Sequence, residues 1–556
     1  MKIDIKPELL NSVKGYKPRK LFNDMLAGLM VALVALPLNL AMGTRQTPGE
    51  NYFAYAIQIG LWAAIVGGIL LSMFGGTKYS IGGPTAPFIT IIVILLAATG
   101  NNMHNVFLAT MLAGIILMIA GILRAGRALK FVSYPVVIGI CLGIGITLLF
   151  NLLSDLGFVL ADHTDLTRSI DSISPFISRL MRTGMGLAEF SVSSLLIGGF
   201  AVALTYILPK VHKKIPAIIV AIAAATGLSF IFRATNVEWL QPITIYSRHG
   251  SPAPAWGAHL IQFPQVSWAS PQLYLFAIAI AVVATLEGMM SSTAVENISG
   301  VKFNPNAEIF GHGVANFGSG LFGGLPVTAA MARTNLNYEN GAKSNLAGIF
   351  QSLFLLIFYV ALMQFIGPIP LAALIAPLVK VAITTSFFPK VARLIRFNRR
   401  CAITILATGL ITVIFGVHFG VIAGVGASFL TNIKSIKTGL TITEIPFEQM
   451  ANYKTFDEHF EAELEKPTIK VLKIEGTVFF ANVYKLVNRI KELMQNADEV
   501  ILDMEKATNI DATVGEQLSK LTKIYAKNGK RLTMHNICPE TKKQYEMAFR
   551  YLVKGW

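Results

Sequence analysis

Two ionisable side chains lie inside stretches of the chain that are otherwise apolar. Glu287 follows the run Ala-Ile-Ala-Ile-Ala-Val-Val-Ala-Thr-Leu, and Arg333 lies in a short apolar segment at 327–337. A charged side chain at the centre of a bilayer costs about 3 kcal/mol or more, so such residues default to functional hypotheses. We interpret Glu287 as a proton-coupling residue, with a structural carboxyl paired with Ser or Arg as the alternative. Arg333 is expected either to complement a bound anion or to form a structural pair with Glu287.

Two glycine- and proline-rich sequences open short apolar segments. Residues 82–90 read Gly-Gly-Pro-Thr-Ala-Pro-Phe-Ile-Thr, and residues 323–334 read Gly-Gly-Leu-Pro-Val-Thr-Ala-Ala-Met-Ala-Arg-Thr. Short, interrupted segments at matching positions of two halves indicate a transporter site. Two half-helix N-termini facing each other would offer free N–H groups and partial positive charge to an anion. The alternative is that Gly-Gly-Pro only marks tight packing between helices.

The elements that carry these residues are apolar segments too numerous for a soluble protein. Of the 556 residues, 53% are hydrophobic and 14% are charged, against about 25% charged in soluble domains. Fourteen apolar segments are expected near 25–43, 52–74, 84–98, 104–123, 132–153, 190–208, 215–232, 273–291, 307–322, 327–337, 344–366, 370–388, 401–416 and 418–433. The interrupted sequences lie in segments three and ten. A spacing of seven, an odd number, would make the two halves inverted repeats.

The charge of +16 lies entirely in the apolar part, because residues 441–556 carry 17 basic and 17 acidic side chains. Short loops at 124–130, 210–214 and 390–400 are rich in Lys and Arg, which is typical of cytoplasmic loops. Both termini are therefore expected in the cytoplasm. The basic N-terminal segment 1–24 has no cleavage site and is not expected to be a signal peptide. The excess charge is a topology signal and excludes nucleic acid as a partner.

The tail has a different composition and predicts a small α/β domain. Strands are expected at 470–476, 500–504 and 531–535, and helices at 482–495 and 513–528. No phosphate-binding loop and no nucleophile elbow is present, and no catalytic constellation is visible. Three distant cysteines and the histidines at 104, 312 and 418 show no metal-ligand spacing. We expect neither an enzyme nor a metal or cofactor site.

Several motifs together resemble the sulfate permease (SulP) family. They are Gly-Leu-Met-Val-Ala-Leu-Val-Ala-Leu-Pro at 28–37, Gly-Gly-Pro-Thr of segment three, Asn-Pro-Asn-Ala-Glu at 304–308, Gly-Val-Ala-Asn at 313–316, Leu-Phe-Gly-Gly at 321–324 and Ala-Arg-Thr at 332–334. The tail is similar to a STAS (sulfate transporter and anti-sigma factor antagonist) domain. The resemblance implies a helical membrane protein with a seven-plus-seven inverted repeat, core and gate domains that move against each other, and a homodimer. The expected boundaries are 1–24 for the N-terminal segment, 25–433 for the transport domain, 434–444 for a linker and 445–556 for the STAS domain.

The resemblance also implies a substrate site between segments one, three, eight and ten. Carried over by position, the substrate-binding residues are Leu38, Met42, Thr85, Ala86, Phe88, Ser291, Ala330, Met331, Ala332 and Arg333, with Glu287 for proton coupling. Sodium-coupled bicarbonate carriers of similar fold have an acid one turn after the segment-eight Glu, where this chain has Ser291; this favours protons over sodium. Thr513 occupies the loop that is phosphorylated in anti-sigma antagonists, and it is a candidate regulatory residue or only a helix cap.

The sequence therefore predicts a secondary active anion transporter that works by proton-coupled symport and alternating access. Sulfate is the first choice of substrate, followed by bicarbonate and dicarboxylates such as fumarate. The alternatives are a channel-like anion conductor and a sensor that signals anion occupancy through the STAS domain. The protein is expected to be multi-pass, in contact with membrane lipid, in a bacterial inner (plasma) membrane.

Overall fold

The structure is a computed structural model of the chain. It describes residues 5–14, 16–46, 55–126, 133–152, 191–211, 217–235, 241–245, 268–386, 388–436, 439–445, 469–480 and 482–537, together with 177, 180–181, 237 and 542. Several sequence-based expectations fall outside these residues. They are Lys130, Lys213 and Lys214 of the basic loops, Cys538, and most of the two long loops between segments five and six and between segments seven and eight.

Each apolar segment of the sequence holds at least one helix. After a single helical turn at Leu9–Ser12, the helices in chain order are α1 (Pro18–Gln46), α2 (Ala56–Trp62), α3 (Gly68–Phe74), α4 (Pro87–Ala98), α5 (Met103–Ile122), α6 (Tyr134–Asn151), α7 (Val192–Val211), α8 (Ala217–Ala234), α9 (Pro271–Ser299), α10 (Pro305–Leu321), α11 (Met331–Glu339), α12 (Leu346–Ile366), α13 (Ile375–Thr385), α14 (Phe388–Phe397), α15 (Arg399–Phe415) and α16 (Val417–Ile436). A π-helical turn (Ala63–Gly67) joins α2 to α3, and a 3₁₀ turn (Leu371–Leu374) precedes α13. Among the described residues, six helical spans are long and apolar enough to cross a membrane. The inverted repeat remains a prediction.

Local sequence explains where the helices of the site begin and end. The Asn304 side chain accepts hydrogen bonds from the amides of residues 306 and 307, and Pro305 takes the first position of α10, where its missing N–H costs nothing. α9 begins with Pro271 and ends at Gly300, whose φ of 73° only glycine adopts without strain. The three residues between these two caps, Val301, Lys302 and Phe303, turn the chain from α9 into α10.

The chain divides into two compact units, the first made of residues 1–127, 144–386 and 413–418. A large apolar cluster in this unit includes Leu40, Leu61, Ile89, Leu355 and Leu374, all nearly inaccessible to solvent. These residues come from α1, α2, α4, α12 and the 3₁₀ turn. The cluster therefore fixes the helices that surround the interrupted segments.

The interrupted segments three and ten both begin with extended backbone. β1 (Gly82–Gly83) and β2 (Thr328–Ala329) form a two-stranded antiparallel sheet in which Gly82 pairs with Ala329 and Gly83 with Thr328. α4 starts four residues after β1, and α11 starts two residues after β2. This β1–β2 pair, called the ribbon below, therefore joins the chain segments that lead into the N-termini of these two short helices.

The second unit comprises residues 128–143, 387–412 and 419–556. Its membrane-type helices approach closely through small residues, as is common in bilayers. A Cβ added to Gly139 would lie 2.7 Å from Cβ of Thr408, and one added to Gly143 would lie 2.5 Å from Cβ of Thr412. Glycine at these two positions lets the first half of α6 pack directly against α15.

The tail forms a four-stranded sheet in the order β3-β4-β5-β6, from β3 (Leu440–Ile445), β4 (Ile469–Val478), β5 (Glu499–Ile510) and β6 (Arg531–His535). β3 is antiparallel to β4, and the other pairs are parallel. α17 (Val483–Leu493) and α18 (Ala512–Lys527) follow β4 and β5, as parallel connections require. β3 begins inside the stretch 434–444 that the sequence marks as a linker, because the alternating run Leu-Thr-Ile-Thr-Glu-Ile pairs with β4.

Candidate functional site

The side chain of Arg333 reaches from α11 back to the segment that leads into α4. Arg333 is 2% exposed. Its Nη2 donates a hydrogen bond to the carbonyl oxygen of Pro84 at 2.9 Å, and its Nη1 donates to Oδ1 of Asn39 on α1 at 3.2 Å. The guanidinium also lies on Gly83, where an added Cβ would be 2.5 Å from Nη1. Arg333 thereby joins three parts of the chain: α1, α11 and the segment before α4 that contains Gly83 and Pro84 (the α4 lead-in).

Glu287 faces the same region from α9. The hydroxyl of Thr85 donates a hydrogen bond to Oε2 of Glu287 at 2.7 Å. Glu287 also interacts electrostatically with Arg333, whose guanidinium donates its hydrogen bonds to Asn39 and Pro84. The carboxyl is therefore positioned by Thr85 within the electrostatic reach of the guanidinium.

Three buried donor atoms of these elements have no hydrogen-bond partner. They are Nε of Arg333, Oγ of Ser291 and Nδ2 of Asn39. All three can donate a hydrogen bond, and a buried donor without a partner costs about 1–3 kcal/mol. A ligand that accepts hydrogen bonds would satisfy them. The backbone adds to this, because the first N–H groups of α11 have no intrahelical partner.

The expected substrate residues all lie on α1, α4, α9 or α11 or beside them. Met42, Thr85, Ala86, Phe88, Ser291, Ala330 and Arg333 are buried, Leu38 and Met331 are partly buried, and Ala332 is exposed. Met42 and Ala86 belong to the large apolar cluster. Arg333 is the third residue of α11 and lies in its first turn, closer to the helix start than the sequence suggests. The amide of Ala330 donates to the carbonyl oxygen of Ile81 at 3.3 Å, so it is committed to the ribbon.

Asn39 and His312 are site neighbours that the sequence does not single out. Asn39 is completely buried and accepts a hydrogen bond from Arg333. The sequence feature that could have indicated it is an amide side chain in the middle of an apolar helix, next to the predicted Leu38. His312 is 1% exposed and accepts a hydrogen bond from the amide of Ala329. Its spacing predicts no metal site, and no group of three or more His, Cys, Asp or Glu side chains that could hold a metal occurs among the described residues.

Thr513 lies in the second unit at the start of α18. Its Oγ1 accepts a hydrogen bond from the backbone N–H of Tyr134, the first residue of α6, at 3.1 Å, and Thr513 is only 7% exposed. Asp511 caps α18 by accepting from the amide of Val514 and also accepts from the amide of Phe480. Burial raises the pKa of Asp511 from 3.8 to about 6, against the opposing effect of these hydrogen bonds.

Two family models match the chain. The model described as the sulfate permease family matches residues 21–408, and the model of the STAS domain matches residues 462–548. The first match covers well over half of the chain. The second coincides with the sheet that contains β4, β5 and β6.

Curated relatives match over nearly the full length. YvdB of Bacillus subtilis (strain 168), provisionally named a sulfate transporter, is 28% identical over 93% of this chain and 92% of its own. The bicarbonate transporter BicA of Picosynechococcus sp. is 24% identical over 91% of this chain and 88% of its own.

Solved structures show the same fold. The transmembrane domain of a cyanobacterial bicarbonate transporter BicA matches with a TM-score of 0.63 and 24% identity, over 74% of this chain and 99% of that one. Murine Slc26a9, an anion transporter solved in the inward-facing state, matches with a TM-score of 0.64 and 18% identity, over 97% of this chain and 89% of that one.

Proposed function

Because the chain belongs to the sulfate permease family, we propose that it is a secondary active transporter of a small anion that works by proton-coupled symport and alternating access. The observation that carries the proposal is the buried guanidinium of Arg333, held against the α4 lead-in by Pro84 and Asn39. Its Nε, together with Oγ of Ser291 and Nδ2 of Asn39, is a buried donor without a partner. An anion bound at this place would accept from donors on α1, α9 and α11.

Sulfate is the first substrate proposed, with bicarbonate and dicarboxylates such as fumarate next. Relatives of this chain are named for sulfate and for bicarbonate transport. Backbone and guanidinium donors select negative charge, and shape selection would come from the side chains around them. Met42, Ala86 and Phe88 are apolar and buried, and they would set the size of the bound anion.

Glu287 is the proposed proton-coupling residue. A carboxyl group inside a membrane helix is stable when it is protonated or paired, and Glu287 has both Thr85 and the electrostatic field of Arg333 beside it. When an anion binds beside Arg333, its charge competes for the guanidinium and favours the protonated carboxyl. This coupling would move one proton with the anion. Ser291, one turn further along α9, offers a hydroxyl and no second carboxylate for sodium.

We propose the remaining organisation by family resemblance. The chain would form a homodimer in a bacterial inner membrane, with both termini in the cytoplasm. Its transport domain would span 25–433 as two inverted repeats of seven segments. The antiparallel pairing of β1 with β2 supports this symmetry, since equivalent segments of inverted halves run in opposite directions.

Thr513 is the proposed regulatory residue of the tail. Its hydroxyl oxygen accepts from the first residue of α6 and is buried, so a group added to this oxygen would disturb the contact with Tyr134. Phe480 of the same domain packs edge-on against Phe429 of α16, with ring centroids 5.7 Å apart. A change at Thr513 would therefore act on helices of the membrane part that belong to the same unit.

Uptake into proteoliposomes tests the proposal. Labelled sulfate, bicarbonate and fumarate are offered separately, with a proton gradient, a sodium gradient or neither. We expect saturable uptake of at least one anion that a proton gradient accelerates. Arg333→Ala should abolish it, while Arg233→Ala, a change of the same type at a residue bonded to Thr244, should leave it intact. Unsaturable uptake that is linear in the anion gradient would instead identify a channel.

A further inference from the structure

One face of α10 carries buried polar side chains that form hydrogen bonds with two segments: the lead-in to α4, which contains residues 76–83, and the lead-in to α11, which contains residues 325–329. Glu308, His312, Asn316 and Ser319 are at most 1% exposed, and spacings of four, four and three residues place them on the same face of the helix. Outside α10 their partners are of three kinds. They are the backbone amides of Gly76 and Thr77, backbone groups between residues 325 and 329, and the hydroxyls of Ser80 and Ser292.

The first lead-in is bonded to Glu308. The carboxylate accepts hydrogen bonds from the amides of Gly76 and Thr77 and from the hydroxyl of Ser80, each at 2.8 Å. A further bond at 3.1 Å comes from the hydroxyl of Ser292 on α9. With four donors the carboxylate is well satisfied although it is inaccessible to solvent. Glu308 therefore fixes the backbone shortly before β1.

The second lead-in is bonded to the other three side chains. The amide of Asn316 pairs with the backbone of Val327 in both directions, with Nδ2 donating at 2.8 Å and Oδ1 accepting at 2.9 Å. Ser319 donates to the carbonyl oxygen of Leu325 at 2.6 Å. Nε2 of His312 accepts from the amide of Ala329 at 3.0 Å. The helix α10 is thus the common support of both strands of the ribbon.

The partners of His312 define its tautomer. Nδ1 lies 2.8 Å from the carbonyl oxygen of Glu308, which can only accept, so Nδ1 carries the hydrogen. Nε2 faces a backbone N–H, so it carries none. The ring also lies against Gly288 of α9, where an added Cβ would be 2.5 Å from Nε2. His312 is therefore a neutral Nδ1–H imidazole beside the residue that follows Glu287.

We propose that His312 is a positioning residue for the anion site, acting through the amide of Ala329. Ala329 is the last residue of β2 and precedes Ala330, the cap of α11. Because α11 begins there, the place of Ala329 sets the place of Arg333 four residues later. The inference rests on the proposed anion site and adds to it the support that holds one half of the site in register.

Two substitutions separate the two ring nitrogens. In His312→Gln the amide oxygen can occupy the place of Nε2 and accept from Ala329, whereas in His312→Asn the shorter side chain reaches only the place of Nδ1. We expect the Gln variant to bind sulfate within about threefold of the wild type and the Asn variant to bind at least about tenfold more weakly, since the amide of Ala329 loses its acceptor. For the folded His312→Asn variant, the maximal uptake rate should change less than the KM for sulfate does.

His104→Asn is the matched control, because His104 is also a buried histidine, 3% exposed, and its ring contacts Phe107. It should leave sulfate affinity unchanged. Equal affinities of the Gln and Asn variants, or a weaker Gln variant, would overturn the proposal. A purely structural role would lower the yield of folded protein of both variants and leave the KM of the folded fraction at the wild-type value.

The ¹⁵N NMR spectrum of the His312 ring in the wild-type protein is a second test, and it needs no transported anion. The signal of His312 is identified as the one that is absent from the spectrum of His312→Gln. We expect a neutral ring with hydrogen on Nδ1. Hydrogen on Nε2, or on both nitrogens, would overturn the proposal. If no anion binds to the wild type, the proposed function fails while this spectrum still decides the geometry of His312.

Discussion

Gly83 offers a way to disturb Arg333 without removing its charge. A Cβ at this position would lie 2.5 Å from Nη1 and 3.2 Å from both Cζ and Nη2 of Arg333. Unstrained contacts between such atoms require about 3.5 Å, so Gly83→Ala must displace the guanidinium by roughly 1 Å. The displaced atoms end a flexible side chain and are not backbone. The φ of Gly83 is +158°, a backbone conformation that strains alanine, so the variant is expected to fold with a lower melting temperature.

The displacement breaks the bonds that hold Arg333 in place. The distance from Nη2 to the carbonyl oxygen of Pro84 is 2.9 Å, and that from Nη1 to Oδ1 of Asn39 is 3.2 Å. A shift of the guanidinium by roughly 1 Å lengthens at least one of these two distances beyond that of a hydrogen bond. A hydrogen bond that involves a charged group contributes about 1.5–3 kcal/mol. If that energy is lost from anion binding, KM rises by roughly ten- to a hundredfold.

The assay is the initial rate of labelled sulfate uptake over a range of concentrations, together with the melting temperature of the detergent-solubilised protein. Gly227→Ala is the control, because a Cβ added at Gly227 of α8 meets nothing within 4 Å. We expect Gly227→Ala to match the wild type in both measurements. A Gly83→Ala protein with wild-type KM would refute the assignment of Arg333 to the anion site.

Three further predictions concern single groups. Glu287→Gln should keep sulfate binding and lose the acceleration of uptake by a proton gradient; retention of the full gradient effect would rule out its coupling role. Thr513→Val should speed hydrogen exchange at the Tyr134 amide about fivefold while Thr513→Ser leaves it unchanged, since one hydrogen bond contributes about 1 kcal/mol; equal exchange in both variants would contradict the bond. Asp511→Asn should gain stability relative to the wild type as pH rises from about 4 to about 6. The pKa of Asp511 is raised from 3.8 to about 6, so its ionisation destabilises the folded wild type, by at most about 3 kcal/mol. Calorimetry of the full chain at the two pH values measures this difference, and a constant difference would disprove it.

The sequence predicts the helices and strands well because each has a local cause. Apolar runs mark where the helices lie, although the expected segment 273–291 ends eight residues before α9 does and the expected segment 307–322 begins two residues after the start of α10. In the tail, the strands expected at 470–476 and 531–535 lie within or coincide with β4 and β6. The stretch 440–445 is the exception. Its alternation indicates a strand, but its pairing with β4 depends on residues about thirty positions later.

The site is predicted less completely because its contacts are long-range. Glycine and proline before α4 and α11 reveal two interrupted helices, yet nothing local reveals that Gly82 pairs with Ala329. Asn39 and His312 are missed for the same reason. A polar residue on an apolar helix has the same appearance in the sequence whether it bonds its own helix or a segment far along the chain.

The central claim is that an anion binds beside Arg333, between the ribbon and α9. The most direct measurement is the anomalous difference map of crystals grown with selenate, a heavier analogue of sulfate. We expect a selenium peak placed so that the selenate oxygens lie within hydrogen-bond distance of Nε of Arg333 and Oγ of Ser291, and we expect its loss in Arg333→Ala. A peak elsewhere in the wild type, or the same peak in Arg333→Ala, would contradict it.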